Sequence, residues 1–230
     1  MILMKSEITL ENNRGWRSQS GRSIVETIMV AAIAALLGAA ALPQVINARR
    51  LLRSVSLPRE VATQLRYTRQ QAMSQRQAFT FQYDDSTKTI KIFDHNNTDN
   101  ATSACNITGV QVLSASGYPN TACTTTVMTI PLASGAGLPA SEVSYGIPSG
   151  VSSSALDDGN TITSLVNSVV NITFQSDGTV VDASGNYARP TMFFYNNVIP
   201  GQTAAAVSVL GAAGRIKVWR YSSSASKFAE

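Results

Sequence analysis

The sequence predicts an α+β chain. One long N-terminal helix, membrane-spanning at its start and amphipathic at its end, packs on a C-terminal antiparallel β-sheet or β-sandwich. Three observations predict it. The run from Ile24 to Ile46 is almost wholly aliphatic. Leu51, Val55, Pro58, Ala62, Leu65 and Ala72 then recur at spacings of three, four or seven, with arginines and glutamines on the other faces. From Phe79 onward, short stretches alternate apolar and polar side chains between turn residues.

The helix comes first. No charge interrupts Thr27 to Leu42, and the apolar segment is long enough to cross a bilayer as a helix. Glu26 lies near its start, where an acidic side chain costs about 2.5–3.5 kcal/mol on insertion. Two readings are open: Glu26 rests among headgroups at the end of the span, or it meets a specific partner. Pro43 and Pro58 each remove an amide donor and so kink or loosen the helix. For Pro58 the alternative is that the helix ends there. Arg66, Arg69 and Arg76 read as a solvated face that leaves the apolar side for a sheet, the alternative being a nucleic-acid surface.

Strand signals follow in order. Phe79 to Tyr83 alternates, Asp84-Asp85-Ser86 reads as a turn, and Thr89 to Phe93 alternates back, which makes a hairpin. Further strands are expected at Val110 to Leu113, Val127 to Ile130, Val143 to Tyr145, Val169 to Phe174, Met192 to Tyr195 and Ala205 to Leu210, with a last one from Gly214 to Tyr221. Between Asp94 and Asn160, Gly, Ser, Thr and Asn break the pattern, so a loop insertion is expected over about 94–160. The alternative there is a featureless surface loop.

Gly21, the glutamate five residues later at Glu26, the unbroken apolar run and Pro43 resemble the prepilin signature of type IV pilins and type II secretion pseudopilins. The resemblance implies that a prepilin peptidase cuts after Gly21, and that Arg22 becomes an N-methylated N-terminus. It also implies that Glu26 neutralises a neighbouring subunit's terminal amine within the filament. That pairing suits a low-dielectric helix bundle, where either charge alone is costly. Where the family usually has an aromatic residue, most often Phe, this chain has Arg22.

The segment Arg69-Gln70-Gln71-Ala72, leading into Ala78-Phe79-Thr80-Phe81, is similar to the helix end and first strand of GspH/FimT-type minor pilins and pseudopilins. Ile172 to Val180 and Gly214 to Val218 resemble that family's later strands. The implied organisation is a leader at 1–21, a transmembrane and filament-core helix at 22–57, and a periplasmic or extracellular β-rich pilin domain at 58–230. The implied location is a single pass through the bacterial inner membrane and then an extracytoplasmic filament. The implied partners are other major and minor pilins or pseudopilins, the peptidase, the inner-membrane assembly platform and the membrane itself. Outside the cytoplasm Cys105 and Cys123 are expected to pair, contributing about 3 kcal/mol. The alternative is two free buried thiols.

Of the 230 residues, about 150 lie beyond the leader and long helix, which suits one domain. Hydrophobic content of 44% supports a core, and the net charge of +4 conceals a division. Arginines crowd 49–76, acids alone occupy 92–188, and bases return from Arg189 onward.

Catalysis finds little support. His95 is the sole histidine and sits in a polar run, Asp-His-Asn-Asn-Thr-Asp, without the partners of a catalytic triad or zinc site. Ser224-x-x-Lys227 in a Ser-rich tail reads as chance, and no glycine loop cradles a phosphate. Asp157-Asp158-Gly159-Asn160 and Asp94 to Asp99 lack the spacing of a calcium loop. No catalytic residue, cofactor or metal is therefore expected.

In the last strand, period two places Arg215, Lys217 and Trp219 on one face and Ile216 and Val218 on the other. With Arg220 they could hold phosphates and stack a base. The match to the Gly-Arg-x-Arg motif of DNA-binding FimT-type pilins is partial, with Lys217 in the second basic place. The alternative is a final strand with a charged outer face. Three functional readings result: a minor pilin acting in assembly near a pilus tip, a minor pseudopilin of a type II secretion system, and a DNA-binding minor pilin for uptake.

Overall fold

A computed structural model describes residues 23–95, 124–132, 137–151, 156, 159–180 and 186–230. Gly21, Arg22, Cys105, Cys123, Asp157, Asp158 and the strand expected at Val110 to Leu113 lie outside the described residues. Helix α1 covers Ile24–Gln75 and is followed by β1 Phe79–Asp84, β2 Thr89–Asp94, β3 Thr125–Pro131, β4 Val143–Tyr145, β5 Val169–Phe174, β6 Thr191–Asn196, a short helix α2 at Pro200–Thr203, β7 Ala205–Leu210, β8 Arg215–Ser222 and β9 Lys227–Ala229. Packing divides the chain into a unit ending at Val45 and a unit Ile46–Glu230.

In the second unit, the buried side chains of α1 are Ser54, Leu57, Pro58, Val61, Ala62, Leu65, Thr68 and Ala72. These fall three and four apart on one stripe, as a helix covered on one side requires. The stripe is rotated slightly from the expected one, since Leu51 and Val55 are only half-buried. The compact unit takes in Ser54 and Leu57, so packing begins before residue 58.

Pro58 does not end the helix, and neither does Pro43. Pro58 cannot donate to the carbonyl of Ser54 four residues back. Ser54 is buried there, its hydroxyl bonded to the Arg50 carbonyl at 2.8 Å and receiving Asn196 Nδ2 at 3.3 Å.

The described strands form two antiparallel sheets, a four-stranded one in the order β3-β2-β1-β5 and a five-stranded one in the order β4-β6-β7-β8-β9. Leu57, Val61, Leu65 and Ala72 of α1, Phe79, Phe81, Tyr83, Ile90 and Ile92 of the first sheet, and Met192, Phe194, Val207 and Val209 of the second share one core. Each burial of a large side chain there contributes about 1.5–3 kcal/mol. Period two sends the opposite parity of the second sheet to a second core, where Phe193, Ala206, Trp219 and Phe228 meet Leu156.

The β1–β2 hairpin is set by Asp84, whose Oδ1 accepts from the Ser86 amide at 3.0 Å, the Ser86 hydroxyl at 2.6 Å and the Thr87 amide at 3.2 Å. The expected insertion at 94–160 is partly built into the sheets: β3 forms an edge of the first and β4 an edge of the second.

Arg69 departs from the solvated face expected of it. Its Nε donates to the Gly178 carbonyl at 3.1 Å and one terminal nitrogen donates to the Ala213 carbonyl at 3.0 Å. The approach requires glycine at Gly214, which has φ +58, because a Cβ there would lie 2.0 Å from the Gly178 oxygen and 2.5 Å from Arg69 Nε.

Candidate functional site

From Ile24 to Ile46 eleven large apolar side chains are exposed. In water their burial elsewhere would be worth about 15–30 kcal/mol, more than a whole domain's net stability of about 5–15 kcal/mol. No polar stripe interrupts this part of α1, and Pro43 is exposed with the rest. A helix apolar all round is one covered by lipid or by other helices. Among the described residues, α1 is long and apolar enough to cross a membrane.

Glu26 stands in the first turn of α1 and is exposed. Its carboxylate lies next to the helix amides, a placement worth about 0.3–1 kcal/mol. Among the described residues its side chain has no hydrogen-bond or ion-pair partner, in contrast to that of Glu142, which takes Arg50 at 3.3 Å and Asn196 at 2.9 Å. The arrangement is an uncompensated anion at the entrance of an apolar rod, able to accept a cation brought by another molecule.

The four basic-strand residues do not form one surface. Arg215 is 62% exposed in its side chain and lies 3.7 Å from Glu230. Lys217 is paired with Glu230 at 2.7 Å and sits 4.9 Å from the Trp219 ring centre. Trp219 is only 3% exposed, and its indole nitrogen donates to Ser208 at 2.8 Å. The expectation that Trp219 could stack a base is therefore corrected: its face of β8 is covered by the second core, whose contribution from Phe228 comes from β9 in a tail that shows almost no strand pattern. Arg220 is exposed on the other face, among side chains of α1. Glu230, which pulls its carboxyl below the usual range by accepting from Lys217, is the residue that sequence reasoning missed here.

His95, read from sequence as part of a polar run, is buried, with Nε2 2.6 Å from the Thr80 hydroxyl. Among the described residues no group of three or more His, Cys, Asp and Glu side chains could hold a metal.

No family model and no curated protein matches the sequence. Two solved structures resemble the chain, both of the Pseudomonas aeruginosa (strain PAO1) type IV minor pilin FimU. The crystal form in space group P21 is 19% identical with a TM-score of 0.40, over 76% of this chain and 91% of that one. The form in P65 is 18% identical with a TM-score of 0.39, over 76% of this chain and 96% of that one. Superposition at this level carries no functional argument, which rests instead on the apolar helix and its acid.

Proposed function

We propose that the chain is a minor pilin, a structural subunit of a type IV pilus that acts in assembly near the tip. The observation that carries the reading is Glu26, exposed in the first turn of a helix whose first half is apolar, its carboxylate without a partner among the described residues. In a filament core the apolar face is covered by neighbouring helices, and the carboxylate meets the amine released when a peptidase cuts another subunit after its leader. For this chain that cut falls between Gly21 and Arg22. Before assembly the helix spans the inner membrane, and the β-rich unit takes part through lateral contacts. In this role the protein performs no reaction.

The test is Glu26→Ala in the full chain. Membrane insertion should be retained, since the change removes an acid from an apolar segment, while recovery of the subunit in sheared filaments should fall at least about tenfold, the effect of losing about 1.4 kcal/mol. Undiminished incorporation would overturn the reading. A minor pseudopilin uses the same residues, and co-purification with pilus or with secretion subunits separates the two.

A further inference from the structure

Arg59, Thr63 and Arg66 lie four and seven residues apart on one exposed stripe of α1. They line a groove of about 700 Å³ together with Arg220 and Ser222 of β8 and with Glu230. Among the described residues none of the three guanidinium groups has a hydrogen bond or an ion pair. Five other cations of the domain, Arg50, Lys88, Lys91, Arg215 and Lys217, each face a carboxylate, whereas this groove brings together three that do not. Gathering three unmatched cations in one concavity does nothing for folding, since like charges raise the energy of the compact state. Glu230 does not neutralise them, being held by Lys217 and Arg215.

Guanidinium forks match phosphate oxygens two at a time, and the Thr63 and Ser222 hydroxyls offer further donors. Arg59 and Arg66 are seven residues apart, about 10 Å along the helix axis, a spacing that successive phosphates of one chain can follow. We propose that this groove binds a chain of phosphates, supplied either by a free oligophosphate or by the backbone of a single nucleic-acid strand. The site stands apart from the assembly role and uses neither Arg215 nor Lys217.

The experiment uses the full-length protein in a neutral detergent free of phosphate. Anisotropy of a labelled oligothymidylate reads strand binding, and calorimetry reads inorganic tripolyphosphate. Three contacts at the single-strand salt slope predict an affinity loss of about 20-fold between about 50 and 200 mM salt. Arg59→Gln, Arg66→Gln and Arg220→Gln should each weaken binding about threefold, and the triple variant more than about tenfold, as exposed ion pairs do. The unfolding midpoint should hold, because all three residues are exposed. Binding of tripolyphosphate alone assigns the groove to a free oligophosphate, and binding of the strand without competition by tripolyphosphate assigns it to a nucleic-acid backbone. The proposal is overturned if neither probe binds, if the triple variant binds as the parent does, or if poly-glutamate displaces the probe equally well.

Discussion

The imidazole of His95 is 1% exposed, and among the described residues its Nδ1 has no partner. Nε2 meets the Thr80 hydroxyl, which in turn lies 2.7 Å from the Thr173 hydroxyl. Burial pushes the imidazole down from its ordinary value near 6.5 to about 4. The unfolded chain therefore binds a proton between these values that the folded chain refuses, so stability is whole above about pH 6.5 and is lost as pH falls toward 4. The full loss is about 3 kcal/mol for this one group. Asp84 is pulled below the carboxylate range because hydrogen bonds from Ser86 and Thr87 outweigh its burial, and Asp177 because the Thr179 amide and hydroxyl donate to it. Both therefore titrate beneath the histidine window. Thermal unfolding at neutral pH and at about pH 4.5 should show the parent losing clearly more than His95→Gln; equal losses would refute the assignment. The residue was hidden in the sequence by its neighbours. Asp94 and the asparagines after it read as a loop, whereas the bond from the His95 amide to the Ala78 carbonyl continues the hairpin ladder and turns the ring toward Thr80.

Among the elements, α1 ends in a way that can be improved. Arg76 has φ 56, and the Gln77 amide donates to the Ala72 carbonyl at 3.2 Å, which is a left-handed helix cap with arginine where glycine is preferred. Arg76→Gly should therefore stabilise the protein by about 1 kcal/mol, read as a higher denaturant midpoint at unchanged slope. A lower midpoint would mean that the arginine side chain supplies more than its backbone strain costs. Helix and strands were largely legible because their periods differ: three-four spacing gave α1, and alternation gave β1, β2 and most later strands. What escaped lay where local pattern is silent. Lys227–Ala229 is too short and too polar in its surroundings to advertise β9, and its antiparallel pairing with β8 reveals it. Likewise Arg59 and Arg66 were readable as neighbours on a helix, while their sharing a groove with Arg220 depends on packing between segments far apart in the chain.

For the whole molecule, the burial of α1 says where an independently folding piece should begin. Its buried side chains start at Ser54, and the compact unit starts at Ile46; the described residues before Ile46 are all exposed. The second sheet is covered on both faces, by the shared core on one and by the Trp219 and Phe228 core on the other, and among the described residues neither cluster draws on one before Leu57. A chain restricted to residues 46–230 should therefore be soluble without detergent and unfold cooperatively. It retains Trp219 and loses Trp16, so tryptophan emission reports on the second core alone. The expected result is blue-shifted emission in the folded state, since Trp219 is 3% exposed, and a red shift that coincides with loss of the far-ultraviolet strand signal. An insoluble fragment, or emission that shifts without the backbone transition, would show that the apolar segment takes part in folding the domain. Cooperative unfolding would separate the two tasks physically, leaving the Ile24 to Ile46 run, with its solitary Glu26, nothing to serve but contacts outside its own chain.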